Sequence, residues 1–424
     1  MYNLLKLYVV LVFLTGCGST NIKVDGSKKT FDKEDIFILA ALRSEELKEY
    51  GDSSKIFNDL YESSQKKEYL FRSLKSDLLS KDYTKVINRV NELIEDDLDD
   101  SEIIRLKVHA LIKLNKLGEA TSIALSLVER TKAINDYLMV SDIYVKHKKY
   151  DTALKYLESA YIQDYNEKLL DRMSIVLYVN LLRKKDAIAQ LETHSRVHGC
   201  SKLVCQRLIS FYSNDNNING LLDTYLRLYK IDSSKKVAKK IVQIYGYKKE
   251  YINMMDFLQT SSSDDELLFQ LYVQSKDYQK ASALAYSLYK KNSDIKYLGQ
   301  SAIFEYESCE DKNNKEMQNR VVKKLEDVIK VAREGVYFNY LGYILIDHSI
   351  NIKKGIEYID EALKLEPNSI YYLDSLAWGY YKLGDCVKAK KLMDKVENMQ
   401  GGNNKEVIKH INIINKCMKD NKRK

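Results

Sequence analysis

His194, His198, Cys200 and Cys205 form an H-x₃-H-x-C-x₄-C array, the densest grouping of reactive side chains in the sequence. Imidazole and thiolate groups are zinc ligands. This spacing matches no common finger, however, and Cys205 falls where the helical pattern demands burial, so no metal is expected. The pair Cys200 and Cys205 is left either as a disulfide, which an oxidising compartment would permit, or as free thiols. Free thiols agree better with Cys309, Cys386 and Cys417, for which the sequence offers no evident partner. Phosphate-loop glycines, H-E-x-x-H, G-x-S-x-G and paired carboxylates on a shared pocket are all missing from the sequence. Isolated acids such as Asp142 and Glu266 read as solvent or groove charges rather than acid–base catalysts. No catalytic residue, cofactor or small-molecule substrate is expected.

The remaining cysteine of note is Cys17. Residues 1–16 carry Lys6, an apolar run from Leu7 to Leu14, and then Thr15 and Gly16. That run is too short for a permanent membrane span and reads as a signal peptide. The ending Leu14-Thr15-Gly16-Cys17 resembles a bacterial lipobox, which implies cleavage before Cys17 and transfer of a diacylglycerol to its sulfur. Acyl chains hold a protein at a membrane through ~0.8 kcal/mol per buried CH₂. Gly18 follows, where an Asp would imply retention at an inner membrane, so the resemblance points to the outer membrane, facing the periplasm. With Cys17 lipidated, five cysteines remain, an odd number that cannot all pair internally. Residues 17–30 are polar and aperiodic and serve as a tether.

The elements behind these residues are helical. One proline and 16 glycines in 424 residues leave little punctuation for a sheet, and 33 tyrosines fall mostly at helix-contact positions. The net charge of +8 comes from interspersed Lys and Glu, the look of solvated helix faces, so nucleic acid is not an expected partner. Ser53, Val86, Ala120, Ala153, Ala187 and Leu221 lie 33, 34, 33, 34 and 34 residues apart. The clearest repeat starts at Ile370, with large residues at Leu373, Leu376, Tyr380, Met393 and Val396 and small ones at Ala377 and Ala389. The preceding one carries Phe338, Leu341, Gly342, Leu345, Gly355, Ile359, Ala362 and Pro367.

This 4-7-8-11-20-24-27 spacing resembles the tetratricopeptide (TPR) family. The resemblance implies an all-α, right-handed superhelical solenoid of about ten helix pairs, each pair burying its stripe on its neighbours. Residues 31–232 read as an N-terminal array, 233–334 as irregular modules, 335–400 as a C-terminal pair, and 401–424 as a capping helix and basic tail. The capping stripe is Ile408, Ile411 and Ile414, and residues 309–319 read as a polar loop.

In this family the first helix of each pair lines a concave wall. The positions facing it, read from this sequence, include Arg105, His109, Arg172, Asn339, Tyr343, Tyr371, Asp374, Trp378 and Tyr381. The expected partner is a protein or peptide bound in that groove, with the membrane held through the N-terminal lipid. The Lys and Asn pattern with which some family members clamp a C-terminal carboxylate is not reproduced. The expected role is a lipid-anchored scaffold of a bacterial cell envelope, acting in envelope assembly, secretion or appendage biogenesis. An alternative from another class is an accessory or catalytic subunit of a cell-wall enzyme, with its pocket in the irregular region.

Overall fold

An apolar residue at every third or fourth position puts one stripe on each helix, and a neighbour must cover it. The computed structural model describes residues 29–95, 100–399 and 405–421, which hold 23 α-helices and no strand. The signal peptide, Cys17, most of the tether and Gly401-Gly402 lie outside the described residues.

Contacts divide the chain into two compact units, meeting at Asp215 and Asn216. The N-terminal unit contains α1 (Glu34–Glu46), α2 (Tyr50–Ser64), α3 (Lys67–Leu79), α4 (Tyr83–Glu95), α5 (Ser101–Lys113) and α6 (Leu117–Thr131). It continues with α7 (Ile134–Lys146), α8 (Tyr150–Asp164), α9 (Glu167–Ile175), α10 (Lys184–His198) and α11 (Lys202–Asn214). A π-helical turn, Val176–Asn180, extends α9. The C-terminal unit contains α12 (Ile218–Tyr229), α13 (Lys235–Lys248), α14 (Tyr251–Ser261), α15 (Asp265–Gln274), α16 (Tyr278–Asn292) and α17 (Ile295–Ser308). It ends with α18 (Lys315–Ile329), α19 (Gly335–Asp347), α20 (Ile352–Leu365), α21 (Ile370–Lys382), α22 (Cys386–Glu397) and α23 (Lys405–Asn421).

With so little glycine and proline, the breaks come from ordinary residues held in the left-handed region. Lys48, Lys81, Asn115, Lys148, Leu182 and Asn216 all have positive φ and stand at the same 33–34-residue interval as the core positions. Side-chain caps supply some of the helix starts: Asp277 accepts from the Lys280 N–H, Asn351 from Lys354 and Asp385 from Lys388. Within each unit the substantial contacts join helices adjacent or next-but-one in the chain. That is a solenoid, in which each pair is stabilised by its neighbours.

Three expectations are corrected. The polar loop after α17 is shorter than residues 309–319, because Asn314 caps α18 through the Met317 N–H and buries Met317 and Gln318. On α23 the buried stripe is Val407, His410, Ile411 and Ile414, whereas Ile408 is 43% exposed. The helix is rotated so that His410 faces Asp374. The cysteines are not free thiols: disulfides join Cys200 to Cys205 and Cys386 to Cys417, and Cys309 alone keeps a thiol among the described residues. The Cys386–Cys417 bond ties α23 to α22, with the two Cα atoms 5.9 Å apart.

Candidate ligand-binding groove

In the C-terminal unit, α15, α17, α19 and α21 are the first helices of successive pairs, and one face of them stays open. Two cavities line it and share Val336 and Tyr340. The first, about 750 Å³, is bounded by Phe269 and Val273 of α15, by Gln300, Ile303 and Phe304 of α17, and by Tyr337 of α19. The second, about 680 Å³, is bounded by Tyr306, Asn339, Tyr343, Tyr371, Tyr372 and a set of carboxylates. Phe269 and Tyr278 pack edge-on and stacked against Phe304, fixing the wall of the first cavity.

Two polar atoms mark this face. Gln300 Oε1 and Asn339 Oδ1 are shielded from solvent and accept no hydrogen bond. A shielded acceptor without a donor costs on the order of 1–3 kcal/mol, and both amides belong to residues of the groove wall. The phenols are held neutral. Burial, followed by the neighbouring Glu366, pushes Tyr372 up to about 12. Burial also raises Tyr306, Tyr340 and Tyr343, reinforced by Asp347, Glu307 and Glu406 respectively.

The end of the groove is closed by the chain itself. Trp378 is only 7% exposed; its indole N–H donates to Asp347 at 2.9 Å and its ring stacks on His410, with centroids 4.1 Å apart. His410 Nδ1 lies 3.0 Å from both oxygens of Asp374, and Tyr343 donates its hydroxyl to Glu406 at 2.6 Å. Hence α23 covers the last turn of this face.

How the two helices of a pair meet decides the repeat type. A Cβ on Gly342 of α19 would stand 2.6 Å from the Gly355 carbonyl of α20, and one on Gly355 would stand 2.7 Å from the Gly342 carbonyl. The backbones touch at positions 8 and 20, the small pair of the motif. The same positions are filled by the fully buried Ala377 and Ala389 in the next repeat and by Ser141 and Ala153 in the N-terminal unit. These helix pairs have the close-contact geometry of tetratricopeptide repeats.

No family profile matches the sequence, and no curated protein matches it. Solved structures similar to this chain include the APC/C Cut9–Hcn1 hetero-tetramer, at 11% identity and a TM-score of 0.40, covering 91% of this chain and 97% of that one. Yeast Tom70 is similar at 13% identity and a TM-score of 0.33, covering 92% and 97%. A TPR protein from Parabacteroides merdae is similar at 12% identity and 0.28, covering 67% and 99%. These likenesses are slight.

Of the residues expected on the groove wall, Asn339, Tyr343, Tyr371 and Asp374 do line one cavity. Trp378 and Tyr381, stacked 4.9 Å apart, do not form an open anchor: the indole is buried beneath α23. Arg105, His109 and Arg172 belong to the other unit. Arg105 is engaged there by Asp136, through Nε at 2.7 Å and Nη2 at 2.9 Å. Arg172 pairs with Asp142 at 3.2 Å, and His109 is exposed. At the histidine cluster, His194 Nδ1 meets the Tyr161 hydroxyl at 2.8 Å and its ring packs on His198. The nearby cysteines are oxidised together and are no thiolate ligands.

Phe269, Gln300, Ile303 and Phe304 were not expected on the wall because residues 233–334 read as irregular modules, and Tyr340 because the repeat spacing points its neighbour Asn339 at the groove.

Proposed function

We propose that this TPR chain is a membrane-tethered scaffold whose C-terminal unit holds a segment of another protein along α15, α17, α19 and α21. One observation carries the reading: an aromatic-walled groove of two adjoining cavities that share Val336 and Tyr340 along the first helices of successive pairs. An extended or helical peptide offers apolar side chains for the rings. The lipobox-like Leu14 to Cys17 supports a lipid at Cys17, which would place the scaffold at a bacterial envelope where assembly, secretion or appendage partners emerge.

A photocrosslinking side chain at Val336, shared by both cavities, should capture a discrete protein in living cells. The same group at Val331, which is 70% exposed after α18, should not. The captured protein, once purified, should lose affinity for Val336→Arg. Identical capture at both sites would overturn the groove reading. For the anchor, Cys17→Ser should abolish acyl labelling and membrane association; unchanged labelling would sink it.

A further inference from the structure

The second cavity has a charge as well as a shape. Glu307, Asp347, Glu366, Asp374 and Glu406 line it, against the two ammonium groups of Lys312 and Lys409. Asp374 is answered by His410, but other partners are neutral: Glu307 accepts from the Tyr340 hydroxyl at 2.9 Å, Asp347 from the Trp378 indole and Glu366 from the Tyr372 hydroxyl at 3.4 Å. A neutral donor orients a carboxylate and leaves its charge in place. Between these acids stand tyrosine rings, whose faces attract cations. An internal cation already uses one of them, since Lys312 Nζ sits 4.6 Å from the Tyr306 ring centroid and donates to the Glu307 carbonyl at 3.1 Å.

We propose that the cavity between α17, α19 and α21 is a binding site for arginine or lysine side chains, so that the segment held in the groove is basic. This inference rests on the groove reading above and adds the partner's chemistry. Guanidinium groups suit it best, because a planar fork can stack on a phenol ring and reach a carboxylate at once. The apolar first cavity would take the neighbouring uncharged residues, which sets the expected pattern of the segment: a basic stretch beside apolar side chains.

The test uses the full-length chain in detergent micelles and three blocked nonapeptides, identical except that three positions carry arginine, citrulline or glutamate. Citrulline keeps the shape and loses the charge. Trp378, the only tryptophan, is bonded to Asp347 of the cavity and serves as a fluorescence reporter, with calorimetry as a second readout. The arginine peptide should bind at least about tenfold more tightly than the citrulline one at low salt, with the gap closing as salt rises. Glu307→Gln with Glu366→Gln, both exposed positions, should weaken the arginine peptide about tenfold and the citrulline peptide much less. Lys409→Glu should tighten arginine binding, an outcome that a misfolded variant cannot imitate. Equal binding of arginine and citrulline, a preference for glutamate, or no binding of any peptide overturns the proposal. If Val336 still captures a partner in that case, the groove reading survives and only its charge preference is lost.

Discussion

Along α5, α7, α9 and α11 of the N-terminal unit, the charged groups of the first helices answer one another. Arg105 takes Asp136, Arg172 takes Asp142, and Arg207 takes Asp171 through Nε at 2.6 Å and Nη2 at 3.0 Å. Along α15, α17, α19 and α21 of the C-terminal unit, the corresponding face carries rings, amides and carboxylates around two cavities. The repeat geometry is common to both, so the difference lies in side chains outside the small and apolar positions that define the repeat. A face whose charges bridge successive helices is occupied with holding their spacing. A face whose acids take neutral donors retains its field for a ligand.

Trp378→Ala tests the closed end of that second face and should have the largest effect. As a buried tryptophan between Asp347 and His410, it should lower stability by about 3–5 kcal/mol. Hydrogen exchange should rise in α19 to α23 and stay unchanged in α1 to α11. A stable variant with normal exchange in α23 would place the indole outside the core and reopen the groove end.

Arg105→Ala probes the N-terminal ladder where it is buried. Asp136 is fully buried, so losing its bidentate partner should cost about 3 kcal/mol in denaturant unfolding of that unit. An unchanged midpoint would mean that the ladder is not structural.

At the start of the same unit, Glu34 accepts from the Lys66 ammonium, the Thr30 N–H and the Tyr69 hydroxyl. These hydrogen bonds, led by Lys66, outweigh burial and hold its carboxyl at about 2. A depressed carboxyl contributes fully above the ordinary carboxylate range, and that contribution is lost as pH falls from there through about 2. Acid titration should therefore cost the first repeats up to about 3 kcal/mol, and Glu34→Gln should flatten the dependence. Equal acid sensitivity of wild type and variant would remove Glu34 from the account.

The smallest effect belongs to Arg172→Ala. Its pair with Asp142 is about half exposed on both sides, and the change should cost under about 1 kcal/mol, less still in high salt. A loss as large as that of Arg105→Ala would show that burial is not what separates the rungs.

Much of this architecture was legible in one dimension. The helix pairs follow from a stripe every third or fourth residue and a 33–34-residue return, both local properties of the chain. Gly342, Ala377 and Ala389 announced close packing because only small side chains fit where two backbones touch. Asn339, Tyr343, Tyr371 and Asp374 share one cavity, as expected from the way position within a helix fixes which way a side chain faces. What covers a face is a different matter. Trp378 was placed on the correct side of α21, yet its exposure depends on the course of α23, through His410. Cys386 and Cys417 looked partnerless for the same reason: 31 residues separate them, and only the return of α23 onto α22 brings their Cα atoms within 5.9 Å. Arg105 had the right orientation for a ligand, but its reach to Asp136 depends on the spacing between α5 and α7. The sequence by itself determined the helices, their pairing and the face most repeat positions show, α23 with its exposed Ile408 excepted. Tertiary packing alone decided which of those faces are already occupied, because occupancy depends on distances between groups that no local period encodes.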